Sequence, residues 1–218
     1  MTDYAAARLN MVESQIRPNR VTDLRLVGAM FDLPRERFVP DALRGIAYVD
    51  EDVPLGADRF LMEPMVLARL VQTARIEGDD TVLDVGCGTG YAAALMAQLA
   101  KRVVALDSDA TLVRHAQSAL AALGVGNVEV VTGQLTHGYA RGAPYNVIVF
   151  GGAVQHIPDA IIEQLAEGGR LVAVVASPGE PGRATLITKV AGALSRRVVF
   201  DAGSRLLPGF ALEAGFAF

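Results

Sequence analysis

From residue 78 onward, short apolar runs rich in β-branched residues alternate with stretches of helical periodicity. The runs Thr81–Val85, Arg102–Asp107, Val128–Thr132, Val147–Phe150 and Arg170–Ala176 are strand-length, and most are apolar throughout. Strands buried on both faces belong to a parallel sheet with helices on either side. The helical stretches are roughly Tyr91–Ala100, Ser108–Leu123 and Pro158–Leu165. Two more strand candidates, Ala184–Val190 and Arg197–Asp201, have no helix between them. A turn at Gly192 would make them an antiparallel pair at the far end of the sheet.

The first sixty residues have a different texture, that of short helices and turns. Asp3 can cap a helix with Leu9, Val12 and Ile16 at helical spacing, stopped by Pro18. Thr22 can cap a second helix, with Leu24, Val27 and Phe31 on one face and Pro34 at its end. Residues 40–64 carry several turn formers. Pro64 suits the first turn of a third helix, whose apolar stripe is Val66, Leu67, Leu70 and Val71. The expected fold is α/β, a doubly wound and mostly parallel sheet with a helical N-terminal cap. One domain spans 1–218, with 1–77 as the cap region. Such open sheets bind ligands at the carboxyl ends of their strands, where strand order reverses.

Composition narrows the class. Of 218 residues, 51% are hydrophobic and 20% charged, which supports a packed core rather than disorder. Twenty basic and 24 acidic residues give a net charge of −4 without a basic stripe, so nucleic acid is not an expected partner. Cys87 is the single cysteine, which excludes an internal disulfide framework and suits a reducing compartment. No apolar run reaches membrane-spanning length, and the N-terminus lacks an apolar signal core. The expectation is a cytoplasmic protein without a membrane partner.

The strongest chemical signal is Val82-Leu83-Asp84-Val85-Gly86-Cys87-Gly88-Thr89-Gly90-Tyr91: a strand, a glycine loop and a helix start. Glycines let a ligand approach the main chain, and a helix start offers free N–H groups. The spacing is G-x-G-x-G, with Tyr91 where a dinucleotide fingerprint would need its third glycine. Asp84, two residues before the first glycine, would repel a pyrophosphate but suits a cationic ligand. Asp107 ends the next strand and can accept both hydroxyls of a ribose, with Ser108 beside it at the helix start. An adenosine with a positively charged tail and no phosphates describes S-adenosylmethionine (AdoMet), and these residues resemble the class I methyltransferases. That resemblance implies cofactor contacts from Asp84, Gly86, Cys87, Gly88, Gly90, Asp107 and Ser108. It places Gly133 and Gln134 against the adenine, where Gln134 can hydrogen-bond through its amide. S-adenosylhomocysteine is the implied product.

Further blocks sharpen the resemblance. Leu33-Pro34-Arg35-Glu36-Arg37-Phe38-Val39-Pro40, then Ala47-Tyr48-Val49-Asp50 and Val53-Pro54-Leu55-Gly56, resemble the N-terminal region of protein-L-isoaspartate O-methyltransferases. Gly142-Ala143-Pro144-Tyr145-Asn146-Val147-Ile148, Gly151-Gly152-Ala153, Ile157-Pro158 and Gln164-Leu165-Ala166-Glu167-Gly168-Gly169-Arg170-Leu171 resemble later blocks of the same family. The resemblance covers roughly residues 10–178 and implies methyl transfer to a protein or peptide carboxylate, as in isoaspartate repair.

One block departs from the family. Where it typically has Gln-Thr-Ile-Ser shortly before a proline, this chain reads Arg59-Phe60-Leu61-Met62-Glu63-Pro64. Met62 stands at the position of the family's hydroxyl residue. A carboxylate acceptor is already ionised at neutral pH, so the reaction needs alignment and exclusion of water rather than a general base. Arg59 is a candidate clamp for that carboxylate, with pairing to Glu63 as its alternative. Glu63 would repel an anionic acceptor, and could act as a base toward a neutral one. His115, His137 and His156 are weaker candidates, and no spacing suggests a metal site. The changed block leaves two alternatives: a methyltransferase with another acceptor, or a non-catalytic AdoMet-binding protein. Tyr91 and Asp84 count against a nicotinamide-dependent oxidoreductase.

Overall fold

A computed structural model describes residues 3–177 and 179–212. Helix α1 (Tyr4–Met11) is capped by Asp3, whose carboxylate accepts the Ala6 N–H at 3.0 Å. It continues through a π turn and a 3₁₀ turn to Asn19, one residue beyond Pro18. Helix α2 (Leu24–Asp32) is capped by Asp23 rather than Thr22. The Thr22 N–H is already committed to Gln72 Oε1 at 2.6 Å. The buried face also differs from expectation: Leu26, Val27 and Met30 point inward, while Leu24 is 75% and Phe31 46% exposed.

A hairpin follows, formed by β1 (Val53–Gly56) and β2 (Arg59–Leu61). Its two turn residues, Ala57 and Asp58, both have positive φ, at 51° and 54°. That backbone fits a two-residue type I′ turn, although Asn-Gly is its usual sequence signature. Helix α3 (Pro64–Ala74) starts at Pro64 as expected and buries Val66, Leu67, Leu70 and Val71.

The central sheet contains β3 (Thr81–Val85), β4 (Arg102–Asp107), β5 (Val128–Thr132), β6 (Tyr145–Val154), β7 (Leu165–Val175), β8 (Arg183–Val190) and β9 (Ala193–Asp201), in the order β5-β4-β3-β6-β7-β8-β9. The first five of these in sequence pair in parallel, while β8 and β9 form the expected antiparallel pair across the Ala191–Gly192 turn. Helices α4 (Tyr91–Ala97) and α5 (Ala110–Ala122) connect β3 to β4 and β4 to β5. The β5–β6 connection contains two 3₁₀ turns.

Several boundaries move: β6 extends the expected 147–150 run at both ends, β9 starts four residues early at Ala193, and α4 ends at Ala97. The helix expected at Pro158–Leu165 shrinks to α6 (Asp159–Ile162), and β7 begins at Leu165. The Gln164 carbonyl accepts the Tyr145 N–H at 2.9 Å, and Tyr145 pairs with Leu165. Strand pairing therefore starts before the apolar run, across a register shift between Tyr145 and Val147.

Alternation along the strands divides the core. Val82, Val103, Val147 and Val172 pack with the N-terminal helices and α3–α4. Leu83, Val104, Ile148 and Leu171 pack on the other side with Tyr145, Ile161, Leu207 and Phe210. Strand order reverses at β3, so the crevice for a ligand lies between the carboxyl ends of β3 and β6. Strand β3 ends at Val85, paired with Phe150, while β6 runs on to Val154. Residues after β9 fold back into that gap. The Ala153 N–H donates to the Arg205 carbonyl, and the Leu207 N–H donates to the Ala153 carbonyl, both at 2.8 Å.

Candidate active site

The glycine loop leaves β3 at the bottom of this crevice. Gly86, Gly88 and Gly90 have φ of 84°, 56° and 92°, a region that penalises a side chain. The loop is tied to β4, because the Gly86 and Cys87 N–H groups both donate to the Leu106 carbonyl, at 2.8 and 3.0 Å. The Asp107 carboxylate accepts the Gly88 N–H at 2.7 Å and the Asp109 N–H at 3.1 Å. Its main-chain carbonyl accepts from Gly133, which brings the end of β5 to the same place. Ser108 lies between Asp107 and Asp109, which caps α5. The backbone thus gathers Gly86, Cys87, Gly88, Asp107, Ser108 and Gly133 at the strand ends. Gln134 is exposed at the rim.

Asp84 is the penultimate residue of β3, fully buried, and neither carboxylate oxygen has a partner. Burial, reinforced by the Asp107 charge and opposed by Arg59, pushes its pKa up to about 7. Cys87 is also buried, and burial followed by the charges of Asp84 and Asp107 raises its thiol well above the ordinary range. It is held as a neutral thiol, which gives no nucleophile.

Arg59 occupies a position that the sequence did not reveal. Its Nη1 lies 2.8 Å from both Asp107 oxygens, and its Nη2 donates to the Gly86 carbonyl at 2.8 Å. The partner is therefore Asp107, 48 residues away, and neither Glu63 nor solvent. Glu63 instead precedes α3, and its N–H donates to Asp52 Oδ1 at 2.8 Å. Partial burial, followed by the charges of Asp50, Asp52 and Glu51, raises the Glu63 carboxyl to about 7. Met62 is buried, and its carbonyl accepts from Arg35 Nη2 at 2.7 Å. Phe60 carries the Arg205 guanidinium over its ring, 5.1 Å from the centroid. Of the histidines, His156 lies after β6 near Phe210.

The donor set fits AdoMet in kind: unpartnered Asp84 for an ammonium, Asp107 for a ribose, and a glycine loop for close approach. The space is taken by the chain itself. A Cβ on Gly86 would meet Leu207 at 2.8 Å and Arg59 at 3.0 Å, and one on Gly88 would meet Leu55 at 2.9 Å. Two cavities border this region, one against the glycine loop and one between Arg59 and Leu207, and each measures about 10 Å³. That is room for about one water.

An open sheet reversing at β3, with a G-x-G-x-G loop facing a carboxylate at the end of β4, defines the class I methyltransferase architecture. The family model of protein-L-isoaspartate(D-aspartate) O-methyltransferase matches residues 7–201. The chain belongs to that family, and so to the AdoMet-dependent O-methyltransferases. It is 38% identical over 188 residues to a protein-L-isoaspartate O-methyltransferase 1 of Rhodopseudomonas palustris, covering 86% of this chain and 77% of that protein. It is 42% identical over 168 residues to a protein-L-isoaspartate O-methyltransferase of Methanoculleus marisnigri, covering 77% and 76%. A solved protein-L-isoaspartate O-methyltransferase superimposes with a TM-score of 0.80 at 23% identity, covering 93% of this chain and 66% of that one. A solved Plasmodium falciparum protein described as a putative member, in complex with S-adenosyl-L-homocysteine, gives 0.77 at 18% identity, covering 95% and 99%. These two establish the fold. The family match ends at the last residue of β9, so the segment that fills the crevice lies beyond it.

Proposed function

We propose that this chain transfers the methyl group of AdoMet to the carboxylate of an isoaspartyl residue in a protein or peptide, in the cytoplasm. The family match over residues 7–201 carries this reading. In the bound state Asp107 accepts the ribose hydroxyls and Asp84 faces the ammonium. Gly86, Cys87, Gly88 and Gly90 line the methionine part, with Ser108 beside Asp107 and with Gly133 and Gln134 at the adenine. AdoMet supplies a methyl group activated by positive sulfur. The chain's part is to bind, align and exclude water, since an ionised acceptor needs no base. Met62 and Glu63 belong to the block that borders the acceptor side, whereas the Arg59 side chain of the same block lies on Asp107. Among the described residues no helix is long and apolar enough to cross a membrane.

A second reading keeps the chemistry and changes the acceptor. Phe60 and Met62 favour it, because they place apolar side chains where the family presents hydroxyls. The test is transfer of labelled methyl from AdoMet to an isoaspartyl peptide, with the normal aspartyl peptide as blank. Base-labile label on the isoaspartyl peptide alone supports the first reading. Label on neither peptide, with label on other acceptors, supports the second.

A further inference from the structure

A carboxylate offers about four lone-pair sites for hydrogen bonds. Those of Asp107 are all committed within the chain. Arg59 Nη1 reaches both oxygens at 2.8 Å, Gly88 N–H takes Oδ2 and Asp109 N–H takes Oδ1. Nothing is left for the hydroxyls of a ribose. The two main-chain donors belong to the loop and the helix start, so the guanidinium is the one occupant that can leave without unfolding either.

The geometry around Arg59 points the same way. Its side chain is 2% exposed, and that of Asp107 is fully buried. Nη2 holds the Gly86 carbonyl at the point of the loop where close approach of a ligand is needed. Leu207 covers the other side of Gly86, held there by hydrogen bonding between residues 205–207 and Ala153 of β6. Asp52 ties the two occupants together. One of its oxygens accepts the Glu63 N–H, two residues after β2, and the other accepts the Arg205 N–H at 3.0 Å.

We propose that Arg59 is a resident occupant of the nucleoside site, which the cofactor must displace from Asp107 before it can bind. The inference rests on the AdoMet reading above and adds how access to that site is controlled. Because the open state is a fraction of the population, apparent affinity is reduced by that fraction. Removing the occupant restores it. Leu207 acts in the same direction from the C-terminal side, and β1–β2 is the element that yields.

The test is calorimetric binding of S-adenosylhomocysteine to the full chain and to the variants Arg59→Gln and Leu207→Ala. Binding at least tenfold tighter in Arg59→Gln and several-fold tighter in Leu207→Ala is expected. In the unaltered chain, saturating S-adenosylhomocysteine should raise deuterium uptake in residues 53–61. The Leu207→Ala and exchange measurements decide the matter if Arg59→Gln does not fold. Equal affinity in all three proteins with unchanged exchange overturns the occupant role and leaves the methyltransferase reading intact. Weaker binding in Arg59→Gln with unchanged exchange makes Arg59 part of the cofactor's grip and also overturns it. No saturable binding by any of the three overturns both readings.

Discussion

Arg59 and Asp107 form a buried ion pair in which one guanidinium nitrogen lies 2.8 Å from each carboxylate oxygen. The pair joins the β1–β2 hairpin to the carboxyl end of β4, across the place where strand order reverses. Breaking such a pair from one side leaves an uncompensated buried charge, which costs more than the pair contributes.

Asp107→Asn should therefore lower the stability of the ligand-free chain by about 3–5 kcal/mol. The double variant Arg59→Gln/Asp107→Asn should recover part of that loss. Denaturant unfolding of the two single variants and the double closes the cycle. Additive losses would show that the two side chains do not interact.

Asp84 gives the stability a pH dependence. Its folded pKa is raised to about 7, from an unfolded value of about 4. Between those values the folded chain holds a proton that the unfolded chain has lost, so stability falls as pH rises through the window. Glu63, also raised to about 7, acts in the same direction but more weakly because it is partly solvated. Asp84→Asn should flatten the fall measured by unfolding between pH 4 and 8. An unchanged slope would mean that Asp84 is ionised throughout.

Asp52 couples the acceptor block to the C-terminal segment through Glu63, Ser204 and Arg205. Asp52→Ala should cost about 1.5–3 kcal/mol, as expected for hydrogen bonds to a charged group. It should also speed proteolysis at Arg205 of the folded chain. Cleavage at the parental rate would show that the segment is held by Leu207 and Phe210 alone.

Met62→Ser restores a hydroxyl where the family carries one. Loss of the buried side chain should cost about 2–5 kcal/mol by analogy with Met→Ala. Transfer of labelled methyl to an isoaspartyl peptide should rise if the missing hydroxyl limits the reaction. A rate that stays level in a folded variant would show that the missing hydroxyl does not limit the reaction.

The parallel strands and the glycine loop could be read from the sequence because each is a local pattern. Apolar runs of strand length and a G-x-G-x-G turn depend on neighbours in the chain. The partner of Arg59 could not be read, since it depends on how a hairpin lies across a crevice. The hairpin itself was hidden because Ala57-Asp58 lacks the Asn-Gly signal of its turn. The segment after β9 was hidden for a related reason. Its described residues meet the sheet at isolated main-chain contacts, with Ala153 and Gln155, so they show neither strand alternation nor helical period. The cap of α2 moved by one residue because Thr22 bonds Gln72, a contact fifty residues distant.

On this reading the crevice is an AdoMet site held closed by Arg59. A crystal structure of the full chain grown with S-adenosylhomocysteine tests it most directly. The expected result is the ribose on Asp107, the ammonium facing Asp84 and the Arg59 guanidinium withdrawn from both Asp107 and the Gly86 carbonyl. Ligand bound with the Arg59–Asp107 pair intact, or a crevice still closed by Arg59 and Leu207 at saturating ligand, would contradict it.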